Sequence, residues 1–314
     1  MGGWKLLSQF SKEISLAVNL VKRASEITEW FKKKGVKTYI KKDQSPSTVA
    51  DYSSQIYILN QLKEKFPEDQ VIAEENETGL IDDNSANQIR ECFNHLDIAN
   101  ITDFKNLLNY RGQRSTRQWT IDPIDGTKGF MKGLKYAIGI GLMVNSDIKI
   151  SVISVPEYNE NGLAIFIAEQ GQGAKASYGG KNFESIHVSN QNNLKKARLC
   201  QSLHYDLPWV TQFADKIGIE ERIKIDSMAK FCLVADGSYD LYIKPIMGFQ
   251  AFTWDYSQGD LLVREAGGKV TDLDEERLVF KDEKCLLRAP GIITSNGVLH
   301  DEVSVFIRNK FFSI

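Results

Sequence analysis

"WTIDPIDGTKGF", residues 119–130, sets two aspartates three apart around a proline and closes the turn with glycine and threonine. Pro123 biases the residue before it to extended backbone, so Asp122 ends the strand that "WTI" begins. Asp125 lies one turn further on, and Gly126 permits backbone freedom and close approach. Thr127 then opens "TKGFMKG", which can begin a helix whose free N–H groups favour an anion. Two nearby carboxylates repel each other and favour protonation of one of them, unless a cation lies between. The turn offers Asp122, Asp125, the Ile124 carbonyl, the Thr127 hydroxyl and several amides. Hard oxygen ligands of this kind suit Mg²⁺, which keeps part of its shell for water and phosphate oxygens. An Asp-rich turn whose side chains cap its own backbone is the alternative, and spacing alone leaves it open.

Further acidic residues stand at the ends of predicted elements on either side. "QVIAEE" reads as a short apolar strand that delivers Glu74 and Glu75. Asp51 in "SPSTVADYSSQ" and Asp255 in "TWDYSQGD" each stand at a helix start, where an N-cap role would account for either one alone. Four separate acidic positions, each at the end of a regular element, are what a two-metal phosphoryl site needs. Spacing does not show that they converge.

The rest of the chain supplies the frame. Leu6, Leu7, Phe10, Ile14, Val18, Val21, Ile27 and Trp30 recur at three to four residues and predict one long helix. A second helix is expected from about Asp51 to Phe66, ended by Pro67. The segment from Thr78 to Thr116 is polar, with one or two short helices. "KYAIGIGLMV", "IKISVISVP" and "LAIFIAEQ" then read as antiparallel neighbours in one sheet. From about Leu194 short strands and helices alternate, which predicts a second α/β unit. We therefore expect an N-terminal α+β part, 1–190, a smaller C-terminal α/β part, 191–314, and a cleft between them for a small molecule.

Composition narrows the function. Of 314 residues, 42 % are hydrophobic and 25 % charged, ordinary globular values. Net charge is −2 with a sequence pI near 6.2, so no basic surface announces nucleic acid or an anionic membrane. No apolar run approaches ~18 residues, so no bilayer span is expected. The start Met-Gly-Gly has Ser8 beyond the usual myristoylation position, and acidic residues at helical spacing read as a structural helix and not a targeting peptide. Cys92, Cys200, Cys232 and Cys285 lack metal spacing and read as free thiols in a reducing cytosol. His95, His187 and His300 show no partner pattern and read as surface or capping residues. Trp4, Trp30, Phe166 and Phe231 read as core.

"WTIDPIDGTKGF", "VIAEEN" and "WDYSQGDLLVREAGGKVTD" together resemble the lithium-sensitive, Mg²⁺-dependent phosphatase superfamily. That superfamily includes inositol monophosphatase, inositol polyphosphate 1-phosphatase and fructose-1,6-bisphosphatase. The motifs span most of the chain in the family's order. Gly-Thr-Lys-Gly-Phe at 126–130, "SPSTVADYSSQIYILNQLKEKFP" and "IDSMAKFCLVADGSYDLYIK" are similar to the branch of 3′(2′),5′-bisphosphate nucleotidases.

The resemblance implies a layered αβαβα sugar-phosphatase sandwich. It implies two or three Mg²⁺ ions on Glu74, Asp122, the Ile124 carbonyl, Asp125 and Asp255. Asp51 and Thr127 match the pair that orients the attacking water, Gly126 and Thr127 amides the scissile-phosphate seat. Ser227, Lys230 and Lys244 match nucleotide-pocket positions, and His204 matches more loosely. Lys244 stands where the yeast-type enzymes tend to have arginine, which removes a bidentate fork. The segment "CQSLHYDLPW" around His204 is shorter than its counterpart and only partly matched. On the residues themselves, Ser227 and Lys230 would share a helix face if "DSMAKFCLVADG" is helical. Otherwise Ser227 merely caps that helix and Lys230 is solvated.

The implied reaction removes the 3′-phosphate of 3′-phosphoadenosine 5′-phosphate, giving AMP, with 3′-phosphoadenosine 5′-phosphosulfate as a second substrate. Inositol 1,4-bisphosphate 1-phosphatase activity is the alternative enzyme. A non-catalytic sensor of nucleotide bisphosphates is the alternative from another class. A cytoplasmic monomer with a small-molecule partner, no nucleic acid and no membrane completes the expectation.

Overall fold

The computed structural model describes residues 9–35, 37–42, 45–76, 81–99, 101–246 and 251–311. Leu6, Leu7 and Trp4 lie outside the described residues. The rest of the first stripe forms α1 (Ser11–Lys34), which buries Ile14, Leu20, Val21, Ile27 and Phe31. β1 (Thr38–Ile40) and β2 (Pro46–Thr48) pair antiparallel and lead into α2 (Val49–Lys65). Then come β3 (Gln70–Ala73), α3 (Asp83–His95), α4 (Phe104–Leu108), β4 (Arg117–Asp125) and the single turn α5 (Thr127–Phe130). β5 (Ala137–Val144), β6 (Asp147–Asn159), β7 (Gly162–Glu169), β8 (Gly173–Tyr178) and β9 (Glu184–Ile186) follow as a meander.

The C-terminal part runs β10 (Leu199–Ser202), α6 (Pro208–Ile217), β11 (Arg222–Ile225), α7 (Ala229–Ala235), β12 (Leu241–Pro245) and α8 (Thr253–Glu265). β13 (Lys269–Asp272), β14 (Val279–Lys281), β15 (Lys284–Leu286), β16 (Gly291–Ser295) and α9 (His300–Phe311) complete it. A seven-stranded sheet has the order β3-β4-β5-β6-β7-β8-β9, and a five-stranded one β11-β10-β12-β16-β13. The three runs expected to be antiparallel neighbours are β5, β6 and β7. β3 joins the same sheet parallel to β4, a pairing that periodicity does not signal.

Side-chain alternation explains why the layers stack. Along the first sheet, Ile121, Ile138, Ile140, Leu142, Ile150 and Val152 pack with α1 and α2. The opposite face, with Ile153, Val155, Ala164, Phe166 and Ala168, packs with α7, α8 and one face of the second sheet. Within β12, Tyr242 faces that middle layer, while Leu241 and Ile243 face α6 and α9. Period-two alternation in both sheets thus buries both faces of each. The result is an αβαβα sandwich, as the resemblance implied. α8 fits between the sheets because Gly259 lies against Phe231: a Cβ there would sit 2.3 Å from the ring.

Cys92, Cys200, Cys232 and Cys285 are free and buried. No helix among the described residues is long and apolar enough to cross a membrane. His95 and His187 are exposed, but His300 is not the surface or capping residue expected. It is fully buried at the start of α9, with Nε2 paired to the Thr271 hydroxyl at 2.9 Å and Nδ1 to Ser295 at 2.8 Å. Burial, reinforced by Lys269, pushes its pKa down to about 4.

The unfolded imidazole binds a proton below about pH 6.5 while the folded one stays neutral to about pH 4, so His300 loses stabilising value as pH falls through that window. The wild-type stability advantage over His300→Gln should therefore be largest at pH 7 and shrink by up to roughly 3 kcal/mol on acidification. Denaturant melts at pH 7, 5.5 and 4 check it. A constant difference would mean that the imidazole titrates normally.

Candidate active site

Asp122 and Asp125 are three apart, and in a regular strand they would point to opposite faces. Pro123 has no N–H for the ladder, and the pairing of β4 with β5 shifts register there: Asp122 faces Gly139 and Asp125 faces Ala137. One extra residue on β4 re-aims its side chains, as bulges do. Ile124 turns into the core while its N–H donates to Asp122 Oδ1 at 3.1 Å. The strand itself is anchored by Trp119, fully buried, whose Nε1–H donates to Asp69 at 2.9 Å. Burying a side chain of this size contributes upward of ~1.5–3 kcal/mol.

Asp255 arrives from α8. Three residues on and on the same face, Gln258 Nε2 donates to the Thr120 carbonyl at 3.3 Å, which docks the start of α8 over β4. Carboxylate oxygens of Asp122, Asp125 and Asp255 consequently lie within 4.8 Å of one another. Asp122 is buried and the other two partly exposed, so the cluster opens to ligand. Asp255 is not an N-cap: Phe252 holds that position and Asp255 is the third helical residue, where a negative charge still gains from the helix dipole.

Asp51 likewise is not the N-cap of α2. Thr48 is, and the two form a capping box. Asp51 Oδ2 accepts from the Thr48 N–H at 2.8 Å and from its hydroxyl. Its other oxygen, Oδ1, faces Thr127 Oγ1 at 3.1 Å. That hydroxyl is also 3.1 Å from the Ile124 carbonyl, and its single hydrogen serves one acceptor at a time. The turn between is built on Gly126, at φ +92°, where a Cβ would sit 3.1 Å from Ser227 Cβ.

Burial raises the pKa of every carboxylate in this group that shifts. Asp122 and Asp255 stand well above the ordinary range, through burial first and then their acidic neighbours. Burial pushes Asp51 up to about 7 and Asp125 to about 6, the latter opposed by Lys230 and the Met228 N–H. Glu74, which is not one of the three grouped aspartates, adds to the shift at all four. Its carboxylate, however, is held by Lys41 Nζ at 2.7 Å, and the same ammonium reaches Glu75 at 3.0 Å. Burial opposes the charge on Lys41, but the two glutamates outweigh it and keep its pKa above the usual lysine range. An all-oxygen, like-charged set of this kind fits a hard divalent cation.

A second group lines the other side. Lys230 is not solvated: it is buried, and its ammonium donates to the Ile225 carbonyl at 3.1 Å and the Ser227 carbonyl at 2.7 Å. Burial pushes it down to about 8, against Asp125. Ser227 does not share a helix face with it. α7 starts at Ala229, and Ser227 stands before it at φ +74°, its Oγ accepting from the Ala229 N–H at 3.2 Å. Burial also lowers Lys244, opposed by Asp255 and Asp125. His204 joins them: Asp226 takes its Nδ1, and Lys132 Nζ is 2.8 Å from its Nε2. Sequence reasoning missed Lys41, Lys128, Lys132, Tyr205 and Asp226. Lys128 and Asp226 stand inside motifs already singled out, but their neighbours drew the assignments.

Residues 10–304 match the model described as the inositol monophosphatase family. A protein of Emericella nidulans named 3′(2′),5′-bisphosphate nucleotidase is 28 % identical, over 94 % of this chain and 97 % of its own. An Arabidopsis thaliana protein named probable 3′(2′),5′-bisphosphate nucleotidase 4 is 30 % identical, over 96 % and 95 %. Among solved structures, the Thermotoga maritima IMPase superposes with a TM-score of 0.70 at 21 % identity, covering 95 % of this chain and 97 % of that one. The inositol monophosphatase from Anabaena gives 0.67 at 22 %, over 96 % and 97 %.

Proposed function

The chain belongs to the inositol monophosphatase family, and from that premise we propose that it is a Mg²⁺-dependent 3′(2′),5′-bisphosphate nucleotidase. Its substrate on this reading is 3′-phosphoadenosine 5′-phosphate, hydrolysed to AMP and phosphate. The full-length similarity to proteins carrying that name supports it. The observation that carries the chemistry is the convergence of Asp122, Asp125 and Asp255 beside the Asp51–Thr127 pair.

Asp122, Asp125, Asp255, the Ile124 carbonyl and Glu74 would hold Mg²⁺, Glu74 exchanging its contact with Lys41 for the metal. Bound Mg²⁺ supplies Lewis acidity, which acidifies water and neutralises phosphate charge. Asp51 Oδ1 and Thr127 Oγ1 orient the attacking water in line with the phosphorus, and Asp51 takes its proton. Gly126 and Thr127 amides seat the scissile phosphate. Ser227, Lys230, Lys244 and His204 line the side that faces the nucleoside. Phosphate monoesters are among the slowest esters to hydrolyse unaided, so strong charge neutralisation is proportionate.

Phosphate release at saturating Mg²⁺ from 3′-phosphoadenosine 5′-phosphate, its 5′-phosphosulfate analogue and inositol 1,4-bisphosphate tests the reading. The first should be the best substrate, with AMP as product. Faster release from the inositol ester would reassign the substrate, and tight nucleotide binding without turnover would make the protein a sensor.

Lithium gives a separate check. Li⁺ is close to Mg²⁺ in radius with half the charge, so it can enter a site of hard oxygens and delay product release. Inhibition should appear at Li⁺ concentrations well below those at which K⁺ acts. Equal potency of the two ions would mean a general salt effect.

A further inference from the structure

Two lysines from different layers meet on one aromatic ring at the mouth of this site. Lys128 directly follows Thr127, and its ammonium lies 4.4 Å from the ring centroid of Tyr205. Lys244, on β12 of the second sheet, stands 4.7 Å from the same centroid. Tyr205 follows His204 in the loop between β10 and α6, so Lys132, against His204 Nε2, belongs to the same group. Among the described residues, Lys128, Lys132 and Lys244 form no ion pair with a carboxylate; their contacts are the Tyr205 ring and His204. A cation over a partly exposed ring gains little, and neighbouring ammonium groups repel one another. Asp255 and Asp125 offset the charge of Lys244, but no carboxylate pairs with Lys128 or Lys132 among the described residues. Lys128 and Lys132 are thus available to an anionic ligand.

Apolar side chains flank these residues along the chain. Met131 and Leu134 end the α5 segment, Met131 next to Lys132, and Leu203 precedes His204. They are exposed by 42 %, 42 % and 38 %. A ligand that satisfies both features carries an anionic group and an apolar heterocycle, and its reacting end reaches the reaction centre, which begins one residue from Lys128 at Thr127.

We propose that Tyr205 and Lys128 are specificity-determining residues: Tyr205 poises Lys128 and Lys244 across the mouth to take the phosphate that is not hydrolysed. The proposal rests on the nucleotidase reading above and extends it to residues outside the family motifs' assigned positions. Lys128, joined to the reaction centre through the backbone of Thr127, measures the substrate from the scissile phosphate outward. Tyr205 acts through the two lysines as a positioning residue by way of its ring.

The test compares kcat/KM for adenosine 3′,5′-bisphosphate with that for adenosine 3′-phosphate at saturating Mg²⁺, in wild type, Lys128→Met, Lys128→Arg, Tyr205→Leu and Tyr205→Phe. A charge-assisted contact implies that Lys128→Met and Tyr205→Leu lower the preference for the bisphosphate about tenfold or more, through KM. Lys128→Arg and Tyr205→Phe, which keep the charge and the ring, should retain most of it. An unchanged preference in Lys128→Met overturns the proposal, and so does an equal loss on both substrates, which would place the residue in the reaction centre or the fold. If Tyr205→Leu does not fold, Lys128→Met and Tyr205→Phe decide. A wild-type protein with no preference for the bisphosphate would instead defeat the nucleotidase reading itself.

Discussion

Asp122→Asn should fold, bind Mg²⁺ poorly and lose about 10²-fold or more of kcat/KM, because a metal contact contributes several kcal/mol to the transition state and each 1.36 kcal/mol is tenfold in rate. The fold survives because an amide oxygen can still accept from the Ile124 N–H. Without metal the variant should be as stable as wild type or more so. Burial and the charges of Glu74, Asp125, Asp255 and Asp51 all oppose ionisation of Asp122, and a neutral amide relieves them. Thermal melts with and without Mg²⁺ measure both effects, and the rise in Tm that Mg²⁺ gives wild type should largely vanish. Near-wild-type turnover at saturating Mg²⁺ would show that Asp122 is not a ligand and that the turn is structural.

Asp51→Asn should be nearly as severe in activity, about 10²-fold or more, the range of a lost general base. The reason is the division of labour between its two oxygens. Oδ2 is tied to Thr48, so the amide oxygen must take that place to keep the capping box. The –NH₂ then faces Thr127, and it cannot accept a proton. Asp51→Ala removes the cap as well and should cost a further ~1 kcal/mol of stability. Single-turnover rates and denaturant melts on the pair separate the roles. If both variants lose stability and neither loses rate, Asp51 is only a helix cap.

Much of this site is legible in the sequence because it sits on one short stretch. Pro123 and Gly126 announce the turn, and the residue types announce a hard cation. Convergence is not legible. It depends on a bulge in β4 that turns Asp122 and Asp125 to one side, and on Gln258 docking α8 against Thr120. Both are long-range facts. The alternative N-cap role of Asp51 and Asp255 is three residues out for a local reason: Thr48 outcompetes Asp51 for the cap, and Asp255 follows a helix start at Thr253 that carries no capping side chain. His300 escaped because nothing near it in the chain shows that β13 and β16 meet beneath α9. From the sequence Lys230 reads as solvated or substrate-facing, whereas the left-handed turn at Ser227 directs two carbonyls to its ammonium.

The central claim is that these carboxylates act by holding a divalent cation for phosphate-ester hydrolysis. A Mg²⁺ titration of phosphate release from 3′-phosphoadenosine 5′-phosphate, using chelator-treated protein, tests it most directly. Release should be absent without the divalent ion and rise saturably as Mg²⁺ is added, with one phosphate and one AMP formed per substrate. Undiminished release in excess chelator would contradict the account.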